Sequence, residues 1–310
     1  MIYIFSTFFL LAAGVTANKF ILNYLSPLWF VALRTSLSSI ILMGYTLYQL
    51  RSLPAKELGN PKRYYQDWPL LILMAICTTL FPSFLKAFGL KYMFAAKATL
   101  LNSLDPFITA IYSYLLWSER LSWSKILGIV VGIVGMMMAI VSQSNQEIGW
   151  ETFYRLSYPE LAIIASCMIS RLGWMMAQKL LRSKRYLPSE LNGIMMAISG
   201  AVALIMANSS HESITTIYQL PFSILILFIA TIVLSNVIGY LMYAHCLQRY
   251  SATLISLAGF LVPILVALFA YLFLQETLNL SFFLASFVVF AGLIIFYIGR
   301  ARSLEVNKNS

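Results

Sequence analysis

The sequence predicts an all-α integral membrane protein of ten transmembrane helices, built as two inverted five-helix repeats. Three observations carry this expectation. Of its 310 residues, 60% are hydrophobic and 10% charged, with a mean hydropathy of +0.82. A soluble domain is about 25% charged. The apolar residues fall in runs of roughly 20, the length that crosses about 30 Å of hydrocarbon. Finally, residues 95–121 recur as residues 252–278 at a constant offset of 157 with no gap, and nine of those 27 positions are identical. The identities include Pro106/Pro263, Tyr114/Tyr271 and Glu119/Glu276, and Gly135 falls on Gly292 at the same offset. A repeat with an odd number of spans sets its two copies upside down in the membrane, a common design of secondary transporters.

The chain opens directly into an apolar stretch with no basic region before it, so residues 3–22 are read as the first span rather than a cleaved signal. The next spans are expected at about 28–50, 68–90, 95–117 and 123–142. After the connection 143–158 come spans at about 159–181, 189–207, 221–244, 251–274 and 280–299. The chain therefore divides into a first repeat, 1–142, a connecting loop, 143–158, and a second repeat with a short C-terminal tail, 159–310. The loops are too short to form a further domain.

Lys and Arg set the orientation. With the N-terminus cytoplasmic, 14 of the 21 Lys and Arg residues fall on the inner side. The positive-inside rule then places both termini in the cytoplasm, as in a multi-pass protein of the cell (inner) membrane. Glu119 lies at the inner face and Glu276 at the outer one, so the shared motif is inverted. The net charge of +10 is thereby accounted for by topology, and nucleic acid is not expected as a partner.

Within the spans the residue spacings suggest packing and bending. Gly128, Gly132 and Gly135 share one face of the fifth helix, which lets a neighbouring helix approach closely. Pro82, Pro106 and Pro263 lie inside predicted helices 3, 4 and 9, where a missing backbone donor bends the chain. Glu119 and Glu276 immediately precede helices 5 and 10, where a carboxylate is stabilised by free amides at the helix start.

Charges inside the spans give the functional signal. A buried charge in a span is costly, so it faces a cavity or a partner. Lys19, Arg34, Lys86, Lys97 and Arg171 stand against a single anion, Asp105. Lys19 and Lys97 are expected in an outer vestibule, unless their stems, like that of Lys86, snorkel to the headgroups. Arg34, Arg171 and Lys86 are expected to bind substrate. Asp105 is an ion-pair partner for Arg171, Arg34 or Lys86, or a coupling site. Asn18, Asn102 and Trp174 add polar and aromatic groups. Asn236, Tyr240 and Tyr243 recur at helical spacing on one face of helix 8.

Ten spans in two halves resemble the EamA-type members of the drug/metabolite transporter superfamily. The best match is AAKATLLNSLDPFITAIYSYLLWSERLSWSKILGIVVGIVG, residues 95–135, with its small residues, mid-helix Pro, Glu-Arg-Leu turn and Gly-rich helix. Lys19, Pro27 and Arg34 are similar to the family's first two helices. The second half departs in placing Met195 where Arg34 stands, and in flanking Glu276 with Gln275 and Thr277. The resemblance implies a carrier of small metabolites.

Enzyme chemistry finds no support. There is no HExxH pair, no GxSxG elbow and no GxxxxGK[ST] phosphate loop. Cys77, Cys167 and Cys246 have no metal-ligand spacing, so neither a metal nor a cofactor is expected. The expected partners are the lipid bilayer, a small-molecule substrate and a co-transported ion. Net positive spans favour an anionic or zwitterionic metabolite: an amino acid, an organic acid or a nucleotide-like compound. Export of lipophilic or cationic drugs is the alternative, and a membrane-embedded enzyme a minor one.

Overall fold

The computed structural model describes residues 2–52, 62–117, 122–141, 157–182, 186–210, 220–249, 259, 261–276 and 279–308. Among these, all regular structure is helical. Helix α1 is Ile2–Ile21 and α2 is Pro27–Ser52. Helix α3 runs as Lys62–Met74, a π-helical segment Ala75–Leu80, and Phe81–Tyr92. Helix α4 is broken into Ala95–Asn102 and Asp105–Trp117. Helices α5, α6 and α7 are Trp123–Val141, Tyr158–Arg182 and Pro188–Ser209. Helix α8 comprises Phe222–Thr231, a second π segment Ile232–Gly239, and Tyr240–Arg249. Helix α9 is Leu261–Leu274 and α10 is Leu280–Lys308. Among the described residues, six stretches are long and apolar enough to cross a membrane, in α1, α2, α3, α6, α7 and α8, and α5, α9 and α10 carry shorter apolar helices. Large apolar side chains such as Ile40, Leu47 and Phe287 point outward, as expected of a surface bathed in lipid.

Two expectations change. The fourth span is two helices rather than one bent helix. Pro106 has no N–H, and in a continuous helix its ring would collide with the carbonyl of residue 102, where the first piece ends. The expected C-terminal tail is mostly helix, since α10 runs on to Lys308. Its sequence after Gly299 contains neither Gly nor Pro to stop it. Pro82 sits just after the first π segment, and the widened turn there accommodates its missing donor. Pro263 lies in the first turn of α9; the residues that a kink would bend, 251–258 and 260, are outside the described residues.

The two π segments occupy matching places. Residues 75–80 fall on 232–237 at the same offset of 157 that relates 95–121 to 252–278. Helix α2 packs along α7, and α5 along α10. The α5–α10 seam is made by backbone contact. A Cβ on Gly128 would fall 2.6 Å from the Gly292 carbonyl oxygen, and one on Gly292 would fall 2.6 Å from the Gly132 nitrogen. Gly132 also receives the Phe107 ring, and Gly135 abuts Val289. Between helices in lipid, such close van der Waals packing supplies the attraction. These glycines therefore serve packing within the chain.

Candidate functional site

Helices α1, α2, α3, α4, α6, α7 and α8 enclose a central cavity of about 230 Å³. The first four bring Asn18, Arg34, Thr35, Ser38, Thr78, Thr79, Ser83, Lys86, Thr99 and Asn102 to its wall. The others bring Ser170, Trp174, Asn192, Ser235, Asn236 and Tyr240. The π segments matter here. A π turn widens the helix and re-aims its side chains, and such turns recur at functional sites. Thr78 and Thr79 come from the first π segment, and Ser235 and Asn236 from the second. They occupy the same positions of the two matched segments, and all four reach the cavity.

Seven of the nine pocket residues singled out in the sequence line this cavity: Asn18, Arg34, Lys86, Asn102, Trp174, Asn236 and Tyr240. Arg34 stands about 10 Å along α2 from Pro27, and Lys86 about 9 Å back along α3 from Tyr92. These two helix ends adjoin, because Lys91 Nζ donates to the Leu25 carbonyl at 3.2 Å. The two cations therefore lie at the same depth. The Arg34 guanidinium lies 5.0 Å from the Phe30 ring centroid, a cation–π contact. Neither Arg34 nor Lys86 forms an ion pair with a carboxylate among the described residues.

The remaining cations are engaged elsewhere. Arg171 pairs with Asp105 at 3.0 Å, joining α6 to the break in α4. Of the three partners open to Asp105, the fold selects Arg171. Asp105 Oδ1 and Arg171 Nε are buried with no further partner. Arg171 is thus paired with Asp105, and it is not among the residues that line the cavity. Tyr243 packs edge-on against Phe8, with ring centroids 6.2 Å apart, and belongs to an apolar cluster with Ile4 and Cys246.

Lys19 and Lys97 are each tied to another helix. Lys19 Nζ donates to the carbonyls of Leu90, Lys91 and Met93 at 2.8, 2.9 and 2.9 Å. Those carbonyls end α3, where a cation is favoured by the helix partial charge. Lys97 is buried and pairs with Glu160 at 2.5 Å. Glu160, in the first turn of α6, is a second anion that the charge count passed over.

Glu276 accepts the amide hydrogen of Ala95, at the start of α4, with oxygens at 2.9 and 3.0 Å; residues 277 and 278, between it and α10, lie outside the described residues. Burial pushes the Glu276 carboxyl above the usual range, and the Ala95 amide and Lys19 act against that shift. Glu119 lies outside the described residues.

Sequence reasoning missed Ser38, Thr78, Thr79, Ser83, Asn192 and Ser235. Two signals were available. Ser38 is one turn from Arg34 on the same helix face. The pairs Thr78/Ser235 and Thr79/Asn236 share the offset of 157.

The profile of the EamA-like transporter family matches residues 1–141 and 157–298. The chain is 26% identical over 280 residues to an S-adenosylmethionine/S-adenosylhomocysteine transporter of Chlamydia muridarum, covering 88% of this chain and 84% of that one. A transporter of the same description from Chlamydia trachomatis serovar L2 is also 26% identical, with 88% and 81% covered. A WAT1-related chloroplastic protein of Arabidopsis thaliana is 23% identical, with 88% and 63% covered. A solved crystal structure superposes with a TM-score of 0.67 over 97% of both chains at 17% identity, a likeness of fold alone.

Proposed function

This chain belongs to the EamA-like transporter family, and on that premise we propose that it is a secondary carrier of a small anionic or zwitterionic metabolite. It works by alternating access between two inverted repeats, residues 1–142 and 159–310, joined by 143–158. The matched π segments and the pairing of α2 with α7 and of α5 with α10 support that symmetry. In a two-fold arrangement, helices of equal rank in each half meet at the axis. Both termini are cytoplasmic and the membrane is the cell membrane, on the Lys and Arg distribution. Gradients of substrate or of a co-transported ion, or exchange, drive the flux.

One observation carries the substrate charge: Arg34 and Lys86 share the cavity at one depth, with no carboxylate paired to either among the described residues. Two unneutralised cations in a low-dielectric site favour an anionic group on the ligand. Arg suits a carboxylate because its planar fork donates two parallel hydrogen bonds. Trp174, Tyr240 and Phe30 supply aromatic faces for a flat body. The two chlamydial relatives are named for ligands with an amino-acid head and a nucleoside body. We take S-adenosylhomocysteine, a zwitterion, as the type substrate. S-adenosylmethionine adds a sulfonium charge that the two cations oppose. Cationic-drug export fits less well, because Asp105 is held by Arg171.

The test is uptake of labelled S-adenosylhomocysteine into proteoliposomes. Saturable uptake with counterflow, lost in Arg34→Ala and Lys86→Ala, is the expected result. Normal uptake by both variants, or saturable transport of lipophilic cations alone, removes this reading.

A further inference from the structure

Two polar atoms on the cavity wall are unaccounted for. Asn18 Oδ1 and Ser38 Oγ are both buried without a hydrogen-bond partner. Asn18 is 9% exposed and Ser38 is 0% exposed, and both line the cavity that Arg34 and Lys86 enter. A buried acceptor left without a donor forfeits the hydrogen bond it would make to water, so it favours any ligand that supplies one. Nearby hydroxyls of the same wall are satisfied internally: Thr35 donates to Val31 O at 2.7 Å, and Thr99 to Ala95 O at 2.9 Å. The contrast singles out Asn18 and Ser38. They also bracket the cations. Ser38 is one turn beyond Arg34 on the same face of α2, about 6 Å further along the axis. Asn18 adjoins Lys19, which ties the end of α1 to the end of α3, the helix that carries Lys86.

We infer that this end of the cavity is an α-amino-acid head-group site: Arg34 and Lys86 hold the carboxylate, and the ammonium donates to one of the two orphaned acceptors that flank them, Asn18 Oδ1 or Ser38 Oγ. The inference rests on the carrier reading above and deepens it, by requiring an ammonium group beside the carboxylate. It gives the ligand a fixed direction. The charged head lies against α1, α2 and α3. The body extends toward Trp174 on α6 and Tyr240 on α8, both from the second half of the chain. The second half has Met195 in place of Arg34 and Tyr243 in place of Lys86. The two halves are therefore unequal in charge, and only one end of the cavity holds a head group. A plain organic acid would satisfy the cations and leave the two acceptors orphaned. Selectivity of that kind arises when a site's buried polar groups are left unpaired by the wrong ligand.

The experiment uses the full chain in detergent and matched ligand pairs that differ only in the amino group. The pairs are S-adenosylhomocysteine and its des-amino analogue, phenylalanine and 3-phenylpropionate, and glutamate and glutarate. Dissociation constants are measured for each. The expected result is that the amino member of a binding pair is preferred by about 30-fold, the scale of charge-assisted hydrogen bonds to an ammonium. In Asn18→Ala/Ser38→Ala the preference falls to about 3-fold or less, while the des-amino partner binds as it does to the wild type, which also shows that the variant is folded. Equal binding of both members by the wild-type protein overturns the head-group site and leaves the carrier of anions standing. A preference that survives intact in the double variant likewise overturns it. If no member of any pair binds, both readings fall together. The wild-type comparison decides the matter even where the variant does not fold.

Discussion

Glu276 accepts the amide hydrogen of Ala95 across 181 positions of sequence. A side chain between α9 and α10 thereby closes the start of α4, and Lys19 lies near enough to act on it electrostatically. Lys19 in turn holds three carbonyls at the end of α3. One buried cluster thus joins α1, α3, α4 and the α9–α10 turn.

Removing the carboxylate leaves the Ala95 amide buried without its acceptor. Glu276→Ala is expected to cost about 1–3 kcal/mol, the range for a lost helix cap that leaves a buried donor unpaired. Thermal unfolding in detergent checks this, with Glu276→Gln falling between wild type and alanine. An unchanged melting temperature in Glu276→Ala means that the cap is incidental.

The Asp105–Arg171 pair is expected to be structural. Breaking it from one side, by Asp105→Asn or Arg171→Met, strands a charge beside an apolar wall and costs about 3–5 kcal/mol. Asp105→Leu combined with Arg171→Met restores much of that loss, because neither charge is stranded. A double-mutant cycle on chemical or thermal unfolding reads the coupling directly. Additive effects would show that the two groups do not depend on each other.

In the cavity, Arg34→Ala and Lys86→Ala each remove a cation. Each is expected to weaken binding of a carboxylate ligand by about 10- to 100-fold, as for a lost hydrogen bond to a charged group. Arg34→Lys keeps the charge but loses the planar fork, and falls between. Titration calorimetry at fixed ionic strength measures this. Ligand affinity that is indifferent to both alanine substitutions excludes them from the site.

Glycine substitutions separate the seam from the lipid face. Gly128→Ala places a methyl group against the Gly292 carbonyl and the Phe296 backbone, and should cost about 1–3 kcal/mol, as overpacking does. Gly44, inside α2, has nothing within 4 Å of a built Cβ. Gly44→Ala should be neutral or stabilise by about 0.5–1 kcal/mol, because alanine stiffens the unfolded chain and favours helix. Parallel melting curves of the two variants provide the comparison. Equal behaviour would remove the argument from close approach.

Much of this architecture can be read in one dimension because lipid simplifies the rules. Every backbone polar group inside hydrocarbon must bond within its own helix, so length and apolarity alone mark the spans. The duplication at offset 157, the helix-breaking position of Pro106 and the small-residue face Gly128–Gly132–Gly135 are likewise local in sequence. So was the short list of polar residues in spans, from which seven cavity residues came. Its errors were errors of partnership. Lys97 and Glu160 are both visible as span charges, but nothing in their spacing says that they meet. Arg171 and Arg34 look alike in sequence, since each is a deep arginine in an apolar helix.

The amino-acid sequence by itself determined the solvent, the number of helices and which residue types are too costly to leave in lipid. The tertiary structure alone decided which charges neutralise one another and which stand in the cavity without an ion pair among the described residues. Asp105 went to Arg171, Glu160 to Lys97 and Glu276 to Ala95, leaving Arg34 and Lys86 in the cavity. The reason is that burial fixes the cost of a charge through its local surroundings, whereas pairing depends on distances between helices remote in sequence.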